Sequence, residues 1–258
     1  MRPAEKDPAE KVYRIRRTPE PPSFSGTWSE GVWADVPPLQ VDRFHAASSD
    51  HRPKTEVKVL YDSAHLYLFF RVQDRYVRAI AEDFQGPVWE DSCVEAFLRP
   101  REDKGYFNFE MNCGGTLLLY YIEDPRRTDA GFAKFTPVAA EQVAGMRIYH
   151  SLPARVEAEI ADPVEWFLEY SIPLSIFEVY IGEPIGPLDV GAGRRRSPQG
   201  PQDRERPRSW QAPTSWRGNF YKCGDKTSHP HWASWTPIGE ELNFHCPEHF
   251  GVLEFGES

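Results

Sequence analysis

The sequence lacks an uninterrupted apolar run of about 18 residues, which is the length that a membrane-spanning helix needs. We therefore expect no membrane span. The N-terminal stretch MRPAEKDPAEKVYRIRR also lacks the apolar segment of a secretory leader. The chain as written is predicted to be cytoplasmic, whereas an extracellular location would require a leader upstream of its first residue.

Positive charge is scarce relative to negative charge. The sequence has 30 Lys and Arg residues against 39 Asp and Glu residues, which gives a net charge of -9. A protein that binds nucleic acid needs a basic surface to contact the phosphates. A nucleic-acid partner is therefore not expected.

Cysteine is also scarce. The four cysteines are Cys93, Cys113, Cys223 and Cys246, and no two of them form a C-x-x-C pair. This wide spacing argues against a compact zinc site. Cys93 and Cys113 lie on neighbouring predicted strands, where a role as small buried thiols is favoured.

Motifs of nucleophilic and nucleotide-dependent catalysis are absent, since the sequence has no G-x-S-x-G, P-loop or G-x-G-x-x-G. Two histidine pairs, His229 with His231 and His245 with His249, are candidate metal ligands. The second pair has the spacing of helical zinc ligands, but Pro247 lies between its members and disfavours a helix. We favour packing or capping roles for these histidines over a metal centre.

What the sequence does contain is many short segments in which apolar and polar residues alternate. In residues 55–62 and 65–74, for example, the apolar side chains fall on one face of each strand. Turns are supplied by 24 prolines and 18 glycines, and 40% of the residues are hydrophobic, which is ample for a core. The pattern predicts an all-β protein: an antiparallel two-sheet β-sandwich with jelly-roll-like connections and short helical turns, one of them beginning at Pro173.

The chain is predicted to form one domain with an N-terminal arm. Residues 1–23 are charged and rich in proline, and we expect them to be flexible. Residues 24–258 then form the sandwich, because the strands predicted near the C-terminus still need a sheet to join. Residues 191–213 have almost no aliphatic side chains and are predicted to be a mobile surface loop of that domain.

The most informative stretch is residues 88–115, VWEDSCVEAFLRPREDKGYFNFEMNCGG. It predicts two neighbouring strands, each with one apolar face. The other face carries four polar side chains: Glu95, Asn108, Glu110 and Asn112. Trp89 stands in the turn before them. A flat aromatic ring beside planar amides and carboxylates can stack on a sugar ring and bond its hydroxyls, which indicates a sugar-binding surface.

Two carboxylates on adjacent strands also suit a glycosidase. If Glu95 and Glu110 project side by side, their separation of about 5–6 Å is compatible with a retaining mechanism. Nothing in the sequence distinguishes an acid from a nucleophile between them. We therefore favour binding over catalysis.

Six segments, taken together, resemble one known family. They are VLYDSAHLYLFFRVQD, VWEDSCVEAFL, GYFNFEMNCGG, WRGNFYKCGD, HPHWASWTP and NFHCPEHFGVLEF. The chain resembles, from about Trp33 to Phe255, the carbohydrate-binding module family 9-like (CBM9-like) group of the wider DOMON-type β-sandwiches. The resemblance implies a non-catalytic protein that binds an oligosaccharide or polysaccharide, associated with carbohydrate catabolism and glycoside hydrolases.

The resemblance also implies roles for individual residues. In xylanase-attached members, two tryptophans hold the sugar between them while a Glu and an Arg-x-Asn strand bond its hydroxyls. By position, Trp89 matches the first tryptophan, Glu95 the Glu and Asn112 the Asn. The second tryptophan is assigned to Trp235, with Trp216 as the next choice.

Two further points follow from the same resemblance. The family's Arg position falls on Glu110, which reverses the charge at that point of the site. Structural calcium is known in the group, so a calcium ion is the one cofactor that the resemblance implies.

Two alternatives remain open. DOMON-type domains hold haem through Met and His ligands, for which Met111 with His65, His150 or His245 would have to serve. The other alternative is a glycosidase-associated structural domain that has lost its ligand.

Overall fold

The computed structural model describes residues 11–129, 131–185 and 215–256. Strands dominate this part of the chain. The N-terminal strands are β1 (Val12–Arg17), β2 (Leu39–Gln40), β3 (Arg43–Phe44), β4 (Lys54–Tyr61), β5 (His65–Asp74), β6 (Val77–Ala79), β7 (Cys93–Arg99), β8 (Tyr106–Asn112) and β9 (Leu117–Leu118). The later strands are β10 (Tyr120–Thr128), β11 (Gly131–Pro137), β12 (Ile148–His150), β13 (Val156–Ile160), β14 (Val164–Pro173), β15 (Ser215–Cys223), β16 (Trp232–Ser234) and β17 (Gly251–Gly256).

Helical structure in the described residues is short. The α-helices are α1 (Ala140–Val143) and α2 (Leu174–Ile181), and single 3₁₀ turns form at Gly31–Trp33, Val88–Glu90 and Pro247–His249. Helix α2 extends the turn predicted after Pro173 and ends at Gly182, whose φ of 77° is the left-handed cap that glycine adopts without strain. The predicted all-β class is confirmed.

The main strands form one hydrogen-bonded path, which runs β11-β10-β8-β7-β15-β17-β1-β4-β5-β14-β12. The path folds into two layers, one containing β7, β8 and β15 and the other containing β4, β5 and β14. Strands β6 and β13 pair separately. Because β17 and β1 connect the layers along one side, the sandwich is continuous there.

The core lies between the layers and is built from the faces that alternation predicts. Strands β7 and β8 contribute Val94, Ala96, Leu98, Phe107, Phe109 and Met111, and strands β4 and β5 contribute Val57, Val59, Tyr61, Leu66, Leu68, Phe70 and Val72. All of these side chains are buried. Because successive strand residues point to opposite faces, Glu95, Asn108 and Glu110 are carried to the outer face of the layer.

The predicted arm at residues 1–23 is wrong where the structure describes it. Strand β1 pairs with β17 from Val12 to Arg16 and with β4 at Arg16 and Arg17. Tyr13 and Ile15 are buried in the core. The charged side chains that suggested an arm alternate with these two residues and lie on the opposite face.

The sandwich also differs from the prediction in strand direction. Both pairings of β1 are parallel, whereas the other pairings of the described strands are antiparallel. An N-terminal strand inserted between β17 and β4 needs no hairpin turn, so nothing forces an antiparallel direction on it. The predicted loop at residues 191–213 lies outside the described residues.

Neither α-helix in the described segments is long and apolar enough to cross a membrane.

Candidate functional site

A cleft of about 290 Å³ opens on the outer face of β7, β8 and β15. Its floor is polar and carries Glu95, Asn108, Glu110 and Cys223. Its walls are largely aromatic and carry Trp89, Tyr120, Phe132, Trp232 and Phe244. An apolar wall around a few convergent polar groups is the usual construction of a small-molecule site.

Trp89 stands at the edge of this cleft in the 3₁₀ turn Val88–Glu90 and is 38% exposed. The turn is fixed to the loop after β15 by two backbone hydrogen bonds, in which the N–H of Asp225 donates to the carbonyl of Trp89 over 3.2 Å and that of Lys226 donates to the carbonyl of Glu90 over 2.9 Å. The Lys226 ammonium and the Glu90 carboxylate lie 2.7 Å apart. The tryptophan is therefore held at the cleft by its backbone while much of its ring remains open.

Trp232 begins β16 and supplies a second aromatic wall. Its indole N–H donates to Oδ1 of Asp225 over 2.6 Å. This bond sets the orientation of the ring, which is half-buried and lines the cleft. Burial raises the pKa of Asp225, and the hydrogen bond from Trp232 opposes that rise.

Glu95 and Glu110 form the centre of the floor. They are direct partners in the β7–β8 register and both are buried. Oε1 of Glu95 accepts a hydrogen bond from the Cys223 thiol over 3.1 Å, and Oε1 of Glu110 accepts one from the Asn108 amide over 2.8 Å. Burial raises the pKa of both carboxyl groups, and for Glu95 the neighbouring Cys223 and Glu110 raise it further.

Asn108 connects this floor to the next strand. Its amide donates to Glu110, while its carbonyl oxygen accepts the backbone N–H of Tyr120 over 2.7 Å. Asn108 therefore positions the Glu110 carboxyl group and the backbone that carries the Tyr120 wall.

Four of the seven residues predicted for the site are brought together in the cleft: Trp89, Glu95, Asn108 and Glu110. Asn112 is not among the cleft residues. Its side chain is fully buried and donates to Asp91 and to the carbonyl of Ala81. Its oxygen accepts the backbone N–H groups of Gly114 and Thr116, so it fixes the turn after β8.

Trp216 and Trp235, the two choices for the second tryptophan, both lie in the core. The Trp216 ring packs 5.0 Å from Phe177 and 5.1 Å from Phe255, measured between ring centroids. Trp235 is 5% exposed and packs against Phe220. The assignment of these two residues to the cleft is wrong, because each points toward the interior of the sandwich.

Several cleft residues were missed by sequence reasoning, notably Tyr120, Arg127, Asp225, Trp232 and His245. Trp232 and Asp225 lie within the segments HPHWASWTP and WRGNFYKCGD that carry the resemblance. An aromatic and an acidic residue within these segments were therefore a usable signal for the site. Choosing among Trp216, Trp232 and Trp235 requires the strand register, which cannot be read from the sequence.

The positions of Met111 and His245 do not support the haem alternative. Met111 is fully buried in the core, whereas the half-buried His245 lines the cleft on the opposite face of β8 and contacts Oη of Tyr106 over 2.8 Å. His65 lies near Asp62, and His150 contacts the carbonyl of Leu152.

Within the described residues, two groups of three side chains have the proximity that a metal ion requires: His51, Asp74 and His231, and Cys93, Glu95 and Cys223. Nitrogen and sulfur donors dominate both, whereas calcium takes oxygen ligands. Neither group therefore fits the calcium that the resemblance implies. Two of the histidines weighed as metal ligands have aromatic partners instead, since His229 stacks on Tyr76 and His245 contacts Tyr106.

Comparison with known proteins supports the sandwich and its class. The sequence profile of Carbohydrate-binding family 9 matches residues 33–183 and 209–255, which is more than half of the chain. A solved protein from Bacteroides uniformis ATCC 8492, for which carbohydrate binding is inferred, superposes with a TM-score of 0.74 at 27% identity, covering 96% of this chain and 100% of that one. No curated protein matches the sequence.

Two solved structures of a carbohydrate-binding module of family 9 from Caldicellulosiruptor kristjanssonii share the fold. The complex with glucose has a TM-score of 0.51 at 13% identity and covers 95% of this chain and 97% of the module. The complex with cellotriose has a TM-score of 0.52 at 14% identity and covers 96% and 95%. The profile match, spread over most of the sandwich, defines the class: this chain belongs to carbohydrate-binding family 9.

Proposed function

We propose that the cleft binds one end of a short oligosaccharide, with a sugar ring stacked between Trp89 and Trp232. The observation that carries the proposal is that one cavity is lined by two partly exposed indole rings and by the carboxyl groups of Glu95 and Glu110. Aromatic faces match the apolar face of a pyranose ring, and carboxyl oxygens accept hydrogen bonds from its hydroxyls.

The polar floor has hydrogen-bond acceptors that can still serve a ligand. In the described part of the chain, the side-chain hydrogen bonds to Glu95 and Glu110 both reach Oε1. Oε2 of each carboxyl group is thus available to a ligand. Glu110 stands where the resemblance places an arginine, so this cleft would hold hydroxyl groups through acceptors where its relatives use a donor.

The size of the cleft suits a small ligand. A volume of about 290 Å³ is at the lower end of the range typical of small-molecule sites. Relatives with this fold have been solved with glucose and with cellotriose. Ring stacking and a few hydrogen bonds of about 1 kcal/mol net each give an affinity in the micromolar to millimolar range.

Calorimetry with glucose, cellotriose and xylo-oligosaccharides tests the proposal. Trp89→Ala is expected to weaken binding by about tenfold or more, the loss of a stacking contact of at least about 1.4 kcal/mol. Phe84→Ala is the matched control, because Phe84 is 37% exposed and is not among the cleft residues. The proposal fails if the wild-type protein binds none of these sugars, or if Trp89→Ala binds them as the wild type does.

A second candidate is hydrolysis, because Glu95 and Glu110 are directly opposed and their pKa values are raised. An acid with a raised pKa beside a second carboxylate is the pair that a retaining glycosidase uses. We favour non-catalytic binding in polysaccharide catabolism, alongside a separate glycoside hydrolase. Incubating cellotriose with the protein and analysing the products by chromatography distinguishes binding from hydrolysis. Hydrolysis would be established if the wild type releases glucose or cellobiose and Glu95→Gln does not.

A further inference from the structure

Cys93 and Cys223 are direct partners in the antiparallel pairing of β7 with β15. Both side chains are on the outer face of the layer, the face that also carries Glu95. Both thiols are buried, at 0% and 1% exposure. Two buried thiols are thus placed side by side at the floor of the cleft.

The donor atoms of three residues converge at this point. The two sulfur atoms and a carboxylate oxygen of Glu95 all lie within 4.8 Å of one another. The contact between Cys223 Sγ and Glu95 Oε1 measures 3.1 Å. Two cysteine sulfurs and one carboxylate oxygen are a donor set that zinc and other thiophilic divalent ions accept in tetrahedral sites.

We infer that Cys93, Glu95 and Cys223 form a three-ligand site for a thiophilic divalent cation of the Zn²⁺ class at the floor of the cleft. Glu95 and Cys223 line the cleft, so the fourth position of a tetrahedral ion would face it. Three protein ligands with one position left to water or a bound molecule is the arrangement of an open zinc site. The binding of the ion does not depend on the sugar-binding function proposed above.

Binding of a metal ion at this site must displace the two thiol protons. Burial raises the pKa of Cys93 to about 12, and a hydrogen bond with Cys93 together with burial raises that of Cys223 well above its usual range. With no cation present, these groups therefore remain protonated at neutral pH. A divalent ion replaces the thiol protons, which pass to solvent as the two metal–sulfur bonds form.

The other convergent group, His51 with Asp74 and His231, already contacts a buried cationic side chain. The fully buried Lys222 ammonium lies 2.7 Å from Nε2 of His231 and 3.4 Å from Oδ2 of Asp74. The positive charge that a metal ion would supply is already present there. The side chains of Cys93, Glu95 and Cys223 make no hydrogen bond to a cationic side chain among the described residues, and the Lys222 ammonium donates instead to the backbone carbonyl of Cys223 over 2.9 Å.

Titration with Cd²⁺ tests the site, because cadmium–thiolate bonds give an ultraviolet charge-transfer absorption. The full chain is reduced with a phosphine, stripped of metal with a chelator, freed of the chelator and titrated without sugar. We expect the band to saturate at one Cd²⁺ per chain and Zn²⁺ to compete for it. Zn²⁺ is also expected to raise the melting temperature, since an ion that binds only the folded state stabilises it.

Variants assign the ligands. Cys93→Ser and Cys223→Ser are each expected to weaken Cd²⁺ binding by about 100-fold or more, since even outer-shell changes cost about 10–100-fold. Cys113→Ser and Cys246→Ser are the controls, because neither thiol belongs to the group. Glu95→Gln keeps both thiols, so it should keep the charge-transfer band while weakening the affinity.

The inference is overturned if reduced wild-type protein gives no saturable band, or if Cys113→Ser or Cys246→Ser removes the band as fully as Cys223→Ser does. The titration of wild-type protein tests metal binding by itself, so the inference stays testable even if a variant fails to fold. Sugar binding is measured separately on chelator-treated protein. A protein that binds Cd²⁺ but no sugar would retain this inference and lose the proposed function.

Discussion

Glu95 and Glu110 face each other across the β7–β8 pair, both buried, at the floor of a cleft whose walls are aromatic. Like charges directly opposite each other destabilise a sheet, and burial adds the cost of removing each carboxylate from water. Core packing has no need of such a pair. Its presence is better explained by a ligand that offers hydrogen bonds, or a cation, to the two carboxyl groups.

Glu110→Gln is therefore expected to stabilise the ligand-free protein above neutral pH. The pKa of Glu110 is raised in the folded state, so its contribution to stability is fully present below the unfolded-state pKa of about 4.3 and is lost as the pH rises. The glutamine cannot ionise and can still accept the bond from Asn108. Denaturant unfolding of chelator-treated protein should show the variant to be more stable at pH 8 and equal to the wild type near pH 4.

The exposed Glu20 provides the control for this measurement. Glu20→Gln should follow the wild type at every pH. A Glu110→Gln protein that is less stable than the wild type at pH 8 would contradict a raised pKa of Glu110 in the folded protein.

Trp216→Ala is expected to destabilise the fold by about 3–5 kcal/mol, because it removes a large side chain from a packed core. The ring is 2% exposed and lies against Phe177 and Phe255. Trp89→Ala, at the cleft, should cost about 1 kcal/mol or less. Denaturant unfolding of both variants checks the assignment, and equal losses of stability would contradict the division between a core tryptophan and a cleft tryptophan.

The faces of β7 and β8 could be predicted because strand alternation has a period of two. Once Val94, Ala96 and Leu98 were assigned to the core, Glu95 had to face outward. In β15 the same reasoning was not enough. Both of its faces are aromatic and almost wholly buried, so only the pairing of Phe220 with Ala96 shows which face is the core.

The need to know which strands pair also explains why the N-terminal segment was wrongly predicted to be an arm. Strand β1 has only Tyr13 and Ile15 as buried side chains, and its partners are a strand at the far C-terminus and β4. Pairing over that sequence distance leaves no local signal, and the charged residues between the two dominate the composition. The second tryptophan of the cleft was missed for a related reason, since its place depends on how β16 pairs with β15.

Ile15→Ala tests the corrected role of the N-terminal segment. Ile15 is 1% exposed in the core, so its truncation should cost about 2–5 kcal/mol. The neighbouring Arg14 side chain is 83% exposed and forms a surface ion pair with Glu254. Arg14→Ala should therefore change the free energy of unfolding by about 0.5 kcal/mol or less. A freely moving arm would give no difference between the two variants.

Lys222→Met is expected to cost about 3–5 kcal/mol, because it leaves the buried Asp74 carboxylate without its ammonium partner. The two groups lie 3.4 Å apart and both are fully removed from solvent. The double variant Lys222→Met with Asp74→Asn should recover part of that loss, since no buried charge then remains unpaired. Lys226→Met is the control, because its ammonium is 61% exposed and its pair with Glu90 should be worth less than about 1 kcal/mol. Equal costs for the two lysine variants would contradict a buried ion pair.

His231→Gln should make the protein less sensitive to acid. Burial, and after it the neighbouring Lys222 ammonium, lowers the pKa of His231 to about 3 in the folded state. The ring accepts a hydrogen bond from Lys222 at Nε2 and contacts the carbonyl of His229 through Nδ1, which is the pattern of a neutral imidazole. Because the unfolded chain takes up a proton near pH 6.5 and the folded chain does not, stability falls as the pH drops from about 6.5 toward 3. In that window the free energy of unfolding of the wild type should fall by about 1.4 kcal/mol per pH unit more steeply than that of His231→Gln.

Denaturant unfolding across the pH range measures these slopes. The control is His249→Gln, because His249 is exposed. Parallel slopes for wild type and His231→Gln would mean that His231 is protonated in the folded protein, in which case its contact with the Lys222 ammonium could not persist.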